Sequence, residues 1–518
     1  MSEHLRALVI ILVLAAVVFK LAERPLCAAA IALRDYRRRR NLWFAVTLIA
    51  FFSHSFWLYV LVAGALVFHY GRKERNPFAL YCMLLFAVPP FNAPLPTLGL
   101  VGQLFDVSHL QLLSVTLLLP AALRLAQTPR EQASAGRVTD WLVGAYLVLI
   151  LILTAGDPRL SFTVVLRTAV TQVLDVVLCY YVASRALINR ESLREALATF
   201  LLAGVMMATV SMFEFVKGWL LYSSLDESMG LTWGYGSYLS RGADNIRAVG
   251  SAGHAIVMGY VMAICLGLLV YLRLFVRPVG MWRLSALAVF GALACSLSRG
   301  PWVGAAVGIL LGVAMGPNAG PRILRFVGAS IVIGIVLMLT PMGPKILSYL
   351  PFIGDVNNET VSYRQELFRI SMLVIRQNPW FGTFDAMANP LMEQLRQGEG
   401  IIDLVNTYIA VALSYGVVGL AFFAGAFFSA AFGVWQVHRR LGPRDDAESE
   451  HLARALLAIL ATITITIVTV SPICAIPPVY WSFIGIAVAY ARWQRTTAKN
   501  AIAARPVRGP AYGMRPTR

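Results

Sequence analysis

A chain that runs apolar for the depth of a bilayer, again and again, has few folds open to it. This sequence of 518 residues does so along most of its length. Its apolar runs are about 17–25 residues long, enough to cross a hydrocarbon layer at about 1.5 Å per residue. In lipid the backbone polar groups must be satisfied within the segment, so such runs are helices. Composition agrees: 58% of residues are hydrophobic and 14% charged, with a mean hydropathy of +0.70. Soluble domains hold about 25% charged residues. The expected fold is all-α, a polytopic integral membrane protein with about 12 transmembrane helices (range 11–14).

Spans are expected near 77–93, 108–125, 139–154, 162–184, 195–217, 252–274, 281–298, 300–317, 326–340, 452–471 and 473–491. The run 404–436 is too long for one crossing, so a short helix at the membrane edge should precede a full span from about 416. Leu42–His69 is either one tilted span or a pair of short helices. Leu5–Phe19 lacks a clear cleavage site and reads as a retained first helix. The expected divisions are N-terminal helices over 1–194, a core over 195–436, a hairpin over 437–491 and a basic tail over 492–518. The six cysteines, mostly inside apolar segments, read as small buried hydrophobes.

The formal charge of +18 would suggest nucleic acid in a soluble protein. Here the basic residues cluster between apolar runs, at Arg37–Arg40, Arg72–Arg75, Arg185–Arg194, Arg273–Arg283, Arg322–Arg325 and His438–Arg444. That is the positive-inside pattern of cytoplasmic loops, so membrane lipid rather than nucleic acid is the expected partner. The tail from Arg492, with seven basic residues and no acid, is expected to be cytoplasmic too. Two stretches then face the other side. One is about Leu220–Gly250. The other is a loop of about 341–403, with five basic and seven acidic side chains and a helical pattern.

Three arginines fall on that other face. Arg299 precedes a run with glycines at 300, 304, 308, 312 and 316, one helix face that lets a neighbouring backbone approach closely. Arg247 and His254 lie in Asn245–Tyr260, NIRAVGSAGHAIVMGY. There Ser251 or Gly250 is expected to cap a helix whose N-terminus favours anions. Arg364 lies in Tyr363–Asn378, YRQELFRISMLVIRQN. At 100° per residue Gln365, Glu366, Arg369, Arg376 and Gln377 form a solvated arc, while Arg364 falls on the apolar side with Phe368 and Ile375. An arginine so placed needs an anionic partner, a side chain or a ligand. Arginine's planar fork suits phosphate oxygens, and a lipid-anchored pyrophosphate would place them at this interface. No P-loop, dinucleotide motif or metal-ligand cluster is present, so no cofactor and no metal are expected.

These segments resemble the O-antigen ligase and O-antigen polymerase superfamily of bacterial polysaccharide assembly. The matching pieces are IRAVGSAGHAIVMGY, SLSRGPWVG, YRQELFRISMLVIRQNPWFG and LVNTYIAVALSYGVVGL, in that order, over about residues 195–436. The resemblance implies a metal-independent glycosyltransferase in the bacterial inner membrane, active at the periplasmic face. Its donor would be a glycan on undecaprenyl pyrophosphate, with other polysaccharide assembly proteins as partners. It implies catalytic roles for Arg247, Arg299 and His254. It implies donor contacts from Arg247, Arg299, Arg364, Asn406 and Tyr408. The sequence departs from the ligases at Val405, where they carry a histidine before the asparagine. His254 or Asp403 is left to compensate. That favours polymerisation of repeat units (exopolysaccharide, capsule or O-antigen) over transfer to lipid A–core, the alternative. A transporter or flippase of lipid-linked sugars is the second alternative. It would use Arg167, Asp175 and Glu214 as intramembrane charges, unless Arg167 simply pairs with one of the two acids.

Overall fold

The structure is a computed structural model that describes residues 3–95, 105–127, 136–231, 246–339, 358–396, 402–441 and 446–503. The N-terminal helices are α1 (Glu3–Ala29), α2 (Leu33–Phe52), α3 (Phe56–Gly71), α4 (Pro77–Leu84), α5 (His109–Gln127), α6 (Arg137–Gly156) and α7 (Phe162–Ala186). Then come α8 (Arg190–Lys217), α9 (Ala255–Leu272), α10 (Val279–Cys295), α11 (Arg299–Ala314) and α12 (Ala319–Met338). After the loop helix α13 (Asn358–Gln377), the chain closes with α14 (Thr407–Arg440), α15 (Ala447–Thr466) and α16 (Ile476–Ala503). Among the described residues nine helices are long and apolar enough to cross a membrane, joined by the shorter apolar α3, α10 and α11. The protein is an all-α polytopic membrane protein.

The expected elements are largely present, with instructive exceptions. Leu42–His69 is a pair of helices, α2 and α3, parted at Ser53–Ser55 where His54 takes a left-handed φ of 45°. The span expected near 77–93 is a correction: helix α4 ends at Leu84, after eight residues. Pro89 and Pro90 follow in the sequence, and proline cannot continue a helix. The chain instead becomes extended, and Asn92–Pro94 pairs antiparallel with Asp106–Ser108. Parts of the two loops expected to face away from the basic clusters, 232–245, 340–357 and 397–401, lie outside the described residues, as does the tail from 504.

The long run 407–440 breaks where a short edge helix should meet a span. Gly416 has φ 66° and ψ −169° inside α14. A break leaves backbone N–H groups unpaired, which lipid will not satisfy. The segment after α13 satisfies them. Val417 N–H donates to the Pro379 carbonyl at 2.8 Å and Val418 N–H to that of Trp380 at 3.2 Å. In return Thr383 N–H donates to Leu413 O at 2.8 Å. A Cβ on Gly416 would overlap the backbone of Trp380 and Phe381, so only glycine fits. Leu367, Ile370 and Val374 of α13 complete the attachment by packing with Ile409, Ala412 and Leu413 of α14. The loop helix is thus fixed against the end of the bundle.

The glycine face of α11 finds its partner on α15 and the turn that follows it. A Cβ on Gly300 would meet the Thr469 hydroxyl, one on Gly304 the Thr466 hydroxyl and one on Gly308 the Thr462 hydroxyl. The backbone is equally close: Cβ atoms on Gly304 and Gly308 would lie 2.9 Å from the carbonyls of Thr462 and Ala458. This antiparallel seam brings Arg299, the first residue of α11, to the link between α15 and α16.

Candidate functional site

The site begins with a carboxylate that binds backbone. Glu214, near the end of α8, is fully buried. It accepts N–H groups from Leu221 at 3.0 Å, Val249 at 3.2 Å and Gly250 at 2.7 Å. Its oxygens therefore hold the incoming chain, where the sequence had offered it as a partner for Arg167 or a transport residue. Asp175, the other acid considered for that role, lies beside Gln111. The segment Glu214 holds carries Arg247, which is 7% exposed. Arg247 Nε donates to the Ser296 carbonyl at 3.1 Å and Nη2 to Ser298 Oγ at 2.6 Å. Ala248 N–H donates to Cys295 O at 3.2 Å. Arg247 is thus tied to the residues immediately before Arg299.

His254 occupies the cap position expected of Ser251 or Gly250, a correction set by glycine geometry. Gly250–Ala252 form one 3-10 turn, and Gly253 at φ 78° turns the chain before α9 can start. A Cβ at Gly253 would lie 2.9 Å from Pro90 Cδ. The His254 ring then caps the helix, its Nδ1 accepting Ile256 N–H at 3.2 Å. Ser251 is used elsewhere, donating to Phe86 O at 2.6 Å. Burial, and secondarily the nearby Arg247 cation, push the His254 pKa down to about 4. The ring is neutral at pH 7, and with Nδ1 accepting, its proton sits on Nε2.

Arg364 reaches the same region from α13. The buried face of that helix is Leu367, Ile370, Ser371, Val374 and Ile375, while Phe368 is 56% exposed. The apolar side read from the sequence is therefore rotated, and Arg364 lies at its edge with its surface open to solvent. The surrounding protein still lowers its pKa. Asp403 opposes that shift and Arg299 adds to it. Arg369, on the outer arc, pairs with Glu366 in an exposed ion pair.

Asp403 links this helix to the rest. Tyr363 OH donates to the Asp403 carbonyl at 3.3 Å and accepts Asp403 N–H at 3.1 Å. Ser471 Oγ, between α15 and α16, donates to Asp403 Oδ1 at 2.9 Å. Three residues on, Asn406 caps α14 by accepting the N–H groups of Tyr408 at 2.9 Å and Ile409 at 3.1 Å. Thr407 Oγ1 donates to Val470 O at 2.7 Å. Tyr408 is a packing residue: its hydroxyl donates to Thr464 O at 3.1 Å and its ring meets Phe423 edge-on.

Arg247, His254, Arg299, Arg364, Asp403 and Asn406 thus share one end of the bundle. The sequence marked Glu214 as an intramembrane charge but gave no sign of its scaffold role, nor of Ser296 and Ser471. Their long-range bonds join positions 35 to 68 residues apart. Ser298 had one signal, a serine just before a helix start.

Fold and site define the class: a polytopic helical membrane protein with a cationic site at one end, its arginines gathered from three segments. Residues 284–424 match the family model described as O-antigen ligase. The match supports the resemblance to the O-antigen ligase and polymerase superfamily that the motifs carry, and an activity of that type. Arg299, Arg364, Asn406 and Tyr408 fall within the matched segment; Arg247 and His254 precede it. No curated protein matches the chain.

Proposed function

We propose that the protein is a metal-independent glycosyltransferase of the bacterial inner membrane, with a periplasmic active face and a cytoplasmic C-terminus. Its donor is a glycan on undecaprenyl pyrophosphate, and its reaction joins polysaccharide repeat units. The observation that carries this reading is electrostatic. Arg299 raises the cost of charge on Arg364, and Arg247 helps to keep the His254 ring neutral. A fold that gathers cations against their mutual repulsion is built to receive an anion. Arginines from different segments can grip the two phosphates of a pyrophosphate in bidentate fashion. They would stabilise the charge that develops as it leaves the anomeric carbon. The lipid tail would stay in the bilayer beside the helices. Arg364 and the Asn406 amide would contact the donor; Tyr408 supports the start of α14.

The test is glycan transfer in proteoliposomes with the lipid-linked repeat unit as sole substrate. A ladder of lengthening chains is expected from the wild type and none from a folded Arg299→Ala variant. No ladder, but transfer once lipid A–core is added, would replace the polymerase with a ligase. Movement of the lipid between leaflets without any transfer would overturn the glycosyltransferase reading.

A further inference from the structure

Joining a hydroxyl to an anomeric carbon releases a proton, and some group at the site must take it. His254 does not suit the task. Its Nδ1 is engaged as the cap of α9 and its Nε2 carries the ring proton, so it offers a donor, not a base. Several acids elsewhere on this side are engaged. Glu214 binds three backbone N–H groups, Glu366 pairs with Arg369, Glu393 with Arg396 and Asp157 with Arg159.

Asp403 differs from all of these. Among the described residues its carboxylate accepts one hydrogen bond, on Oδ1 from Ser471, and joins no ion pair within 4.0 Å. Oδ2 is left open. The backbone of Asp403 is clamped to α13 by Tyr363 at both N–H and C=O. The group is therefore fixed in place while one oxygen stays available. Its charge is felt at Arg364, which in turn feels Arg299. A carboxylate beside, but not bonded to, the pyrophosphate-binding cations is where an acceptor hydroxyl would approach.

We propose that Asp403 is the catalytic base that activates the acceptor hydroxyl, with Ser471 as its positioning residue. This rests on the glycosyltransferase reading above. The acceptor O–H proton passes to Asp403 Oδ2 as the oxygen bonds to the anomeric carbon. The bond from that carbon to the pyrophosphate oxygen breaks, and undecaprenyl pyrophosphate leaves with the electron pair. The groups facing the carboxylate are Arg364 and Tyr363 from α13, Ser471 from the α15–α16 link and, beyond Arg364, Arg299 at the start of α11.

The experiment compares wild type, Asp403→Asn, Asp403→Glu and Ser471→Ala in the proteoliposome assay, with undecaprenyl pyrophosphate as the binding probe. Losing a general base costs about 10²–10⁴-fold in rate. Asp403→Asn should therefore lower kcat by at least about 100-fold and remove the acid limb of the pH–rate profile. Probe binding should stay near wild type, and Asp403→Glu should recover part of the rate. Ser471→Ala should cost about tenfold, the worth of one hydrogen bond to a charged group. It carries the test if the Asn variant does not insert. An Asn variant as fast as wild type, or one that loses probe binding in step with rate, overturns the proposal. A wild type that transfers nothing overturns the reading beneath it, so the two failures are told apart.

Discussion

Helix α8 connects two ends of the molecule that treat arginine in opposite ways. From Arg194 to Glu214 it spans about 30 Å at 1.5 Å per residue. At the first end arginines meet carboxylates directly. Arg39, only 2% exposed, donates to Glu74 and Glu195, each at 2.7 Å. Arg194 bonds Glu448 at 2.6 Å, and Tyr271 donates to the same carboxylate at 3.1 Å. At the second end Arg247 is held by a serine carbonyl and a serine hydroxyl, and Arg299 and Arg364 repel each other. The one carboxylate felt by Arg364 stands off from it. Charge at the first end holds the fold together. At the second end arginines from separate segments are gathered close together, the arrangement that the proposed pyrophosphate site requires.

The comparison breaks most visibly if the two ends exchange roles. Arg247→Ala should lower the transfer rate by about 10²–10³-fold, the usual cost of losing one donor aimed at developing charge. Its thermal midpoint should fall by less than that of an arginine buried in an ion pair, because the Ser296 carbonyl and Ser298 hydroxyl to which it donates are neutral. Arg39→Ala should do the reverse. It strands Glu74 and Glu195, and breaking a buried pair costs about 3–5 kcal/mol. That loss would be read as a lower melting temperature in detergent, with a near-normal rate per folded molecule. An Arg247 variant that unfolds beside an Arg39 variant that is merely slow would reverse the assignment.

A sharper contrast lies within one helix. Arg364→Ala should reduce transfer by about tenfold or more, as one charged contact to the donor is lost. Arg369→Ala removes an exposed ion pair with Glu366, and such pairs contribute about 1 kcal/mol or less. Its rate and stability should match the wild type within error. Equal losses at the two positions would mean that the edge of α13 does not face the site.

The seam that delivers Arg299 offers a smaller, steric test. Gly304→Ala and Gly308→Ala would press a methyl into the threonine hydroxyls and backbone of α15. Overpacking of this kind costs about 1–3 kcal/mol. Gly312→Ala meets only an ordinary contact, 3.5 Å from Ala458 Cβ. It should be neutral, or gain up to about 1 kcal/mol from helix propensity. Melting temperatures of the three variants decide it; uniform behaviour would remove the seam's role.

What could be read from the sequence follows from what a single segment can encode. The glycine period gave one side of the α11–α15 seam, because a helix face is local. Its partner, Thr462, Thr466 and Thr469, looked like any other part of a span. The break in 404–436 was legible because length alone forbids one crossing. Arg364 was placed about one helical position too far toward the apolar side. Periodicity finds an amphipathic face but not its edges, which depend on α14. The failed span at 77–93 had its cause in view at Pro89 and Pro90, yet total hydropathy outvoted two residues. The tie from Glu214 to Gly250 could not be seen, since it needs the fold to bring them together.

The smallest effect concerns His254, which is both a cap and a candidate donor. Asparagine is among the preferred N-cap residues, so His254→Asn should keep α9 in place and leave the melting temperature near wild type at pH 7. The pH dependence of stability separates the two proteins. The His254 pKa is about 4 in the folded chain and about 6.5 when unfolded. As pH falls from about 6.5 toward 4, the unfolded state takes up a proton that the folded state refuses. Stability must then decline with falling pH. The Asn variant lacks this group and should decline less over that interval. If the two acid profiles coincide, His254 is solvated and its ring does not cap α9. If they differ as expected and transfer also slows in the Asn variant, the Nε2 proton, not the cap, is what the donor requires.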